Sequence, residues 1–256
     1  MSSTPTKEIF HPAQHGGEEN KQQILLVVSN PSTSAQTGWP IGVWAAELTH
    51  AYHEFVAAGY DVVLASPDGG KIEFDDWSDP RHESGYSAGD LISMGFINTP
   101  SLMGLLNDTA KLSEVDPAGY AAIFLAGGQA PMYTFKDNAS LMQFVADFYE
   151  SGKPTAIVCH ATTILTDTRL SSGSLLVEGR TWTGFSNAEE DFADNAVGTK
   201  IQPYRIEDNA RQIENTNFTV KPPFSAYAVQ DGNLITGQQQ YSGAAAAQLV
   251  IQALNN

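Results

Sequence analysis

Short apolar runs alternate along this chain with longer stretches of helical period. Residues 24–29 (ILLVVS) are apolar and rich in branched side chains, and the turn-forming Asn30-Pro31-Ser32 follows. Such a run, bounded by turn residues, predicts a strand buried on both faces, as in a parallel sheet. From Ile41 to Ala58 the period changes. Val43, Ala46, Leu48, Ala51, Tyr52, Phe55 and Val56 share one broad helical face, and Gly59 supplies a stop. Residues 61–66 (DVVLAS) predict the next strand, so strand, helix and strand follow in the order of a right-handed crossover. Further strands are predicted at 120–126 and 155–158, and further helices at 101–112, 138–151 and 243–254. Residues 175–177 and 181–184 read as an antiparallel pair near an edge, and 218–230 and 234–236 as the last strands. Residues 71–100 carry scattered Asp, Ser, Pro and Gly with no period; a loop of that length is expected to cover a site.

The alternation predicts an α/β fold: a doubly wound, mostly parallel sheet with helices on both faces. Residues 1–20 read as a polar arm and 21–256 as one domain, with no repeat and no linker. Composition narrows the function. The 13 Lys+Arg against 29 Asp+Glu give a net charge of −16, which repels phosphate backbones and anionic lipid and argues against nucleic-acid and membrane partners. No signal-like or membrane-spanning apolar run is evident. The single cysteine cannot form an intrachain disulfide, so the expected location is the cytoplasm.

That cysteine is also the strongest chemical candidate. The apolar strand TAIV delivers Cys159 to a sharp turn, with a helical stretch expected from Ala161. Ligands bind beyond the carboxyl ends of strands in such sheets. A thiol at a helix start faces free N–H groups, which are expected to hold its pKa below the ordinary value of about 8.5 and to bind a developing oxyanion. His160 follows directly and can move protons near neutral pH. The alternative is a buried structural thiol. Gly127-Gly128 end the 120–126 strand, read either as an ordinary turn or as a place of close backbone approach. Glu47 sits in an apolar helix, read either as solvent-facing or as a buried acid near the thiol. His50 and His53 lie one turn apart without a third ligand, and Asp75, Asp76 and Asp79 suit a polar loop, so no metal site is expected. Trp44 is expected to pack in the core and Trp39 to line a pocket mouth.

The ordered pieces TGWPIGVWAAEL, AGYDVVLASPDGG, FLAGGQAP, AIVCHA, VEGRTWTGFSNAEE and DGNLITGQQQYSG resemble the DJ-1/PfpI superfamily, specifically its Hsp31-like, glyoxalase III-like branch. The resemblance runs from about Lys21 to the C-terminus. It implies Cys159 as nucleophile with His160 beside it, Glu47 as the buried acid on the sulfur, and Glu190 as the acid orienting the histidine, with Glu189 the adjacent alternative. It implies oxyanion-hole amides from Gly128 and His160, and a pocket including Gly127, Gln129 and Trp39. No metal or organic cofactor is implied, and a homodimer is.

Two positions depart from the branch. Where it carries Gly-Gly-His-Gly this chain has Gly127-Gly128-Gln129-Ala130, and where it carries Cys-His-Gly this chain has Cys159-His160-Ala161. The first removes a polar pocket group; the second crowds the elbow if position 161 needs an unusual backbone angle. The implied reaction converts a small reactive carbonyl, in type methylglyoxal, to a hydroxy acid without glutathione, or is a related deglycase reaction. The alternatives are amide or nitrile hydrolysis or hydration by the same thiol, a stress-related chaperone or redox sensor, and a family member whose pocket has lost activity.

Overall fold

In the computed structural model, which describes residues 21–256, the chain forms a seven-stranded sheet. The expected N-terminal arm lies outside the described residues. Across the sheet the strands run Ala228–Asp231, Leu234–Gly237, Thr155–Val158, Ala122–Leu125, Gln23–Val27, Asp61–Ser66 and Ala110–Lys111. All pairings are parallel except that of the first two. The central strands are the apolar runs of the sequence. Ile24, Leu25, Leu26, Ile123, Phe124, Ala156 and Ile157 are fully buried, because helices cover both faces. Full burial of one such large side chain stabilises by roughly 1.5–3 kcal/mol.

The helix Ala45–Ala57 sets the site's first acid. Its buried positions are Ala45, Ala46, Glu47, Leu48, Thr49, Ala51 and Phe55, while Val56 turns outward. Phe55 meets Phe124 edge-on at 5.8 Å, which presses the helix on the sheet. Gly59, at φ 91°, ends the segment as expected. Ala139–Glu150 is capped by Asn138, whose side chain accepts the Leu141 N–H, and Gly243–Leu254 closes the chain.

Three expectations fail for identifiable reasons. The helix expected over 101–112 is shorter, Pro100–Gly104; turn residues follow, and Ala110–Lys111 instead pairs with the end of Asp61–Ser66 as an edge strand. The antiparallel pair of 175–177 with 181–184 does not form. Thr181–Trp182 instead pairs in parallel with Asn217–Phe218, which lets Trp182 bury completely against Phe218 at 4.7 Å. The strand expected over 218–230 is two pieces, Asn217–Phe218 and Ala228–Asp231. The 71–100 segment has more structure than its composition suggests, with a helical turn at Asp76–Ser78 and a helix at Leu91–Ile97 capped by Asp90. No described helix is long and apolar enough to cross a membrane.

Candidate active site

The strand Thr155–Val158 ends at Cys159, which adopts φ 56° and opens a tight helix over Cys159–Thr166. A non-glycine residue in that left-handed region is strained by about 1–3 kcal/mol and persists where its surroundings over-determine it. Here every residue of the helix is buried, and the Thr162 hydroxyl donates to the Cys159 carbonyl at 2.6 Å. The strained turn aims the sulfur out of the sheet's carboxyl edge. Backbone N–H groups of Gly128 and His160 point at it.

Two acids and one imidazole surround the thiol. Glu47 is fully buried; its Oε2 accepts the Gly127 N–H at 2.7 Å and its carboxyl lies against the Cys159 sulfur. Oε1 is buried and has no hydrogen-bond partner among the described residues, which suits it to carry the carboxyl's proton. Burial pushes the Glu47 carboxyl up to about 7. His160 Nδ1 lies 3.4 Å from Sγ, and Nε2 lies 3.0 Å from Glu190 Oε1. The ring stacks on Phe185 at 4.0 Å. Burial disfavours the imidazolium, but the Glu190 carboxylate, together with Glu47 and Asp75 behind it, outweighs burial, and the net shift of His160 is upward.

The expected low thiol pKa is not found. Burial, and then the neighbouring Glu47, push the Cys159 thiol well up, and the Gly128 and His160 amides offset this only in part. A helix start stabilises a thiolate that water reaches; this sulfur is 3% exposed. The resting form is therefore a thiol, and His160 is the base within reach of its proton.

Glu189 and Glu190 separate cleanly. Glu189 closes a capping box on Ser186, its Oε2 accepting the Ser186 N–H at 2.9 Å and hydroxyl at 2.8 Å. Its Oε1 accepts from the Phe224 N–H and the Gln238 amide, both at 2.9 Å. It is fully engaged in fastening the helix Asn187–Val197, and it is the next residue that faces the imidazole. The Ser186-x-x-Glu189 spacing is a capping-box signature readable from sequence.

The two glycines need their lack of a side chain. A Cβ on Gly127 would sit 2.8 Å from Glu47 Oε2, and one on Gly128, at φ 107°, would sit 2.4 Å from the Trp44 nitrogen. The role of Asp75 was not anticipated. The reading of Asp75 as part of a polar loop is corrected: it is fully buried, accepting the Gly42 N–H at 2.9 Å and the Gln129 N–H at 2.7 Å. Burial pushes it up to about 7. It ties the 71–100 segment to the turn that carries the Gly128 amide. A Pro-Asp-Gly-Gly run upstream and polar neighbours hid it, since nothing in the spacing marks a buried acid.

The other candidates fall elsewhere. His50 Nε2 bonds Asp90 at 2.9 Å and His53 is exposed; no metal-holding cluster occurs among the described residues. Cys159 and His160 open into a cavity of about 600 Å³ with largely apolar walls, and Gln129, Trp39 and Trp44 line it. The expectation of Trp44 in the core is corrected: it is half-buried and forms part of the cavity wall. The Gln129 Oε1 is buried and has no partner among the described residues. Ala161 is fully buried and does not adopt a positive φ, so its methyl meets no backbone strain.

A sequence profile described as the DJ-1/PfpI family matches residues 41–253. The chain belongs to the DJ-1/PfpI family. Glyoxalase 3 of Candida albicans is 26% identical over 235 residues, covering 90% of this chain and 97% of its own. Glutathione-independent glyoxalase HSP31 of Saccharomyces cerevisiae is 25% identical over 251 residues, covering 92% of this chain and 99% of its own. Among solved structures, the 24 kDa Rapid Encystment Protein of Francisella tularensis superposes with a TM-score of 0.80 at 25% identity, covering 92% of this chain and all of the other. The family's strand–elbow–helix arrangement is therefore present end to end, with the cysteine at the elbow.

Proposed function

We propose that this DJ-1/PfpI protein is a glutathione-independent glyoxalase that converts 2-oxoaldehydes to 2-hydroxy acids. The observation that carries the reading is a strained, buried Cys159 whose Sγ sits 3.4 Å from His160 Nδ1 while Glu47 lies on its other side. In the first step His160 takes the thiol proton and sulfur adds to the aldehyde carbon. The resulting oxyanion is met by the Gly128 and His160 N–H groups. Glu190 holds the imidazole's orientation and stabilises its charge.

Glu47 then removes the hydrogen on the former aldehyde carbon as a proton, and the electron pair moves toward the neighbouring carbonyl. A carboxyl raised to about 7 can both take and return a proton near neutral pH. Reprotonation at the second carbon reduces it, the first carbon is left oxidised as a thioester, and water releases the acid and the thiol. The balance is R–CO–CHO + H₂O → R–CHOH–COO⁻ + H⁺, an internal redox exchange that needs no external electron acceptor. The relatives named glyoxalases support the reaction class. The test is glutathione-free conversion of methylglyoxal to lactate by wild type and Cys159→Ser. Lactate formation that survives the substitution would move the chemistry away from this sulfur.

A further inference from the structure

The cavity above Cys159 is far larger than a three-carbon dicarbonyl requires. At about 600 Å³ it falls among pockets that hold drug-sized ligands. One wall is a continuous aromatic surface supplied by the covering segment and by Trp39 and Trp44, which lie just ahead of the helix Ala45–Ala57. Trp39 stacks with Trp77 at 6.3 Å, Trp77 meets Tyr86 at 6.1 Å, and Tyr86 meets Trp44 edge-on at 6.0 Å. A second aromatic wall patch is Phe192 and Phe224, in edge contact at 5.0 Å. Phe192 is 56% exposed, Tyr86 43% and Trp77 38%. Aromatic area left open to water inside a cavity that ends on a reactive sulfur is area a ligand can cover. Among the described residues no lysine or arginine lines the cavity, whereas Asp76 and Glu190 do, and the chain carries a net charge of −16. A phosphorylated or carboxylated carbonyl would find no counter-charge there.

We propose that the preferred substrates are uncharged 2-oxoaldehydes bearing a bulky aromatic substituent, with the dicarbonyl end at Cys159 and the ring between the Trp77–Tyr86 wall and Phe192. This rests on the glyoxalase reading and adds the substituent to it. The chemistry is unchanged: phenylglyoxal and water give mandelate and a proton. A ring placed between these walls loses its contact with water, and the small dicarbonyl gains nothing comparable.

The test compares phenylglyoxal with methylglyoxal, following mandelate and lactate by chromatography. Wild type, Phe192→Ala, Trp77→Ala and Cys159→Ser are assayed as the full chain. Product formation, rather than loss of dicarbonyl, excludes adducts on surface arginines. Wild-type kcat/KM should favour phenylglyoxal by at least about tenfold. The preference should fall toward one in both wall variants, through KM. A preference for methylglyoxal, or a ratio that neither variant moves, overturns the substituent assignment and leaves the reaction standing. A binding arm separates the two readings. Acetophenone, but not acetone, should show saturable contact with Cys159→Ser by ligand-observed NMR, weakened by adding Phe192→Ala. Binding without Cys159-dependent hydroxy acid from either dicarbonyl would sink the reaction and keep the ring site. Absence of acetophenone binding sinks the ring site even if methylglyoxal is consumed.

Discussion

The floor of the cavity and its rim are built on opposite principles. On the floor, Cys159, Glu47, His160 and Glu190 are at most 6% exposed, and each is held by neighbours that leave little freedom. At the rim, Trp39, Trp77, Tyr86 and Phe192 are 36% to 56% exposed and meet other aromatics, the first three one another and Phe192 the Phe224 ring. Titratable groups buried this closely must share protons and shift one another, which suits a floor that carries out a reaction. Half-exposed aromatics carry little charge coupling and much area, which suits a rim that selects what reaches the floor. Substitutions on the floor should therefore act on turnover and pH, and those at the rim on KM and on preference among substrates.

The floor is most sharply tested at the sulfur. Cys159→Ser keeps the shape but replaces the thiol with a far weaker nucleophile. Hydroxy-acid formation should fall by about a thousandfold or more while the urea unfolding midpoint barely moves. A mutant that turns over like wild type would mean the elbow is structural.

Glu190→Gln should have the next largest effect, a fall in kcat of about a hundredfold, because the imidazolium formed in the first step loses its carboxylate. The pH profile carries the sign. His160 must be neutral to accept the thiol proton, so kcat/KM rises as pH passes through its pKa. Glu190 raises that pKa against burial. Without that carboxylate only the weaker pull of Glu47 and Asp75 opposes burial, so the rising limb should move to lower pH even as the maximum falls. A limb that moves to higher pH, or stays, breaks the assignment.

Much of the floor was legible because it lies at strand ends. The apolar runs 24–29, 61–66 and 155–158 announced the sheet, and one of them delivered Cys159 to its edge. The partner acids were harder. Glu47 stands between Ala46 and Leu48 in a predominantly apolar helix, a pattern compatible with either face. Glu190 was separable from Glu189 only through the capping box on Ser186. The thiol's elevated pKa was not legible, since helix starts are visible in sequence and burial depth is not. The rim was legible only in outline, in Trp39 at a pocket mouth and in the covering role of 71–100. Trp77 and Tyr86 follow no period, and Phe192 is the exposed aromatic of a polar helix, so only the fold brings them to the cavity. The parallel pairing of Thr181–Trp182 with Asn217–Phe218 escaped for the same reason, its partners being far apart in the chain.

Asp75 joins floor to rim, and Asp75→Asn should show how tightly. Its two oxygens accept two N–H groups, and an amide can replace only one of those acceptors. The loss should destabilise by about 1–3 kcal/mol. The folded pKa of about 7 lies above the ordinary value of 3.8, so the folded state binds the extra proton. That stabilisation is complete below about pH 4 and is lost as pH rises toward 7. The penalty of Asp75→Asn, measured by urea unfolding, should therefore be larger at pH 5 than at pH 8. A penalty independent of pH would mean the carboxyl is ionised throughout.

The smallest effect is expected at Ala161, where the family branch carries glycine. If the methyl crowds the elbow, Ala161→Gly should relieve it and raise turnover. The backbone there argues otherwise: φ is not positive, and the side chain is fully buried in the helix that fixes Cys159. Glycine would gain freedom in the unfolded chain and leave a methyl-sized void in the folded one. Stability should fall by about 1 kcal/mol, and kcat/KM should stay within about twofold of wild type. A tenfold gain in kcat/KM would show that the elbow tolerates the methyl only at the expense of its reaction, and would make the floor less rigidly specified than its hydrogen bonds indicate.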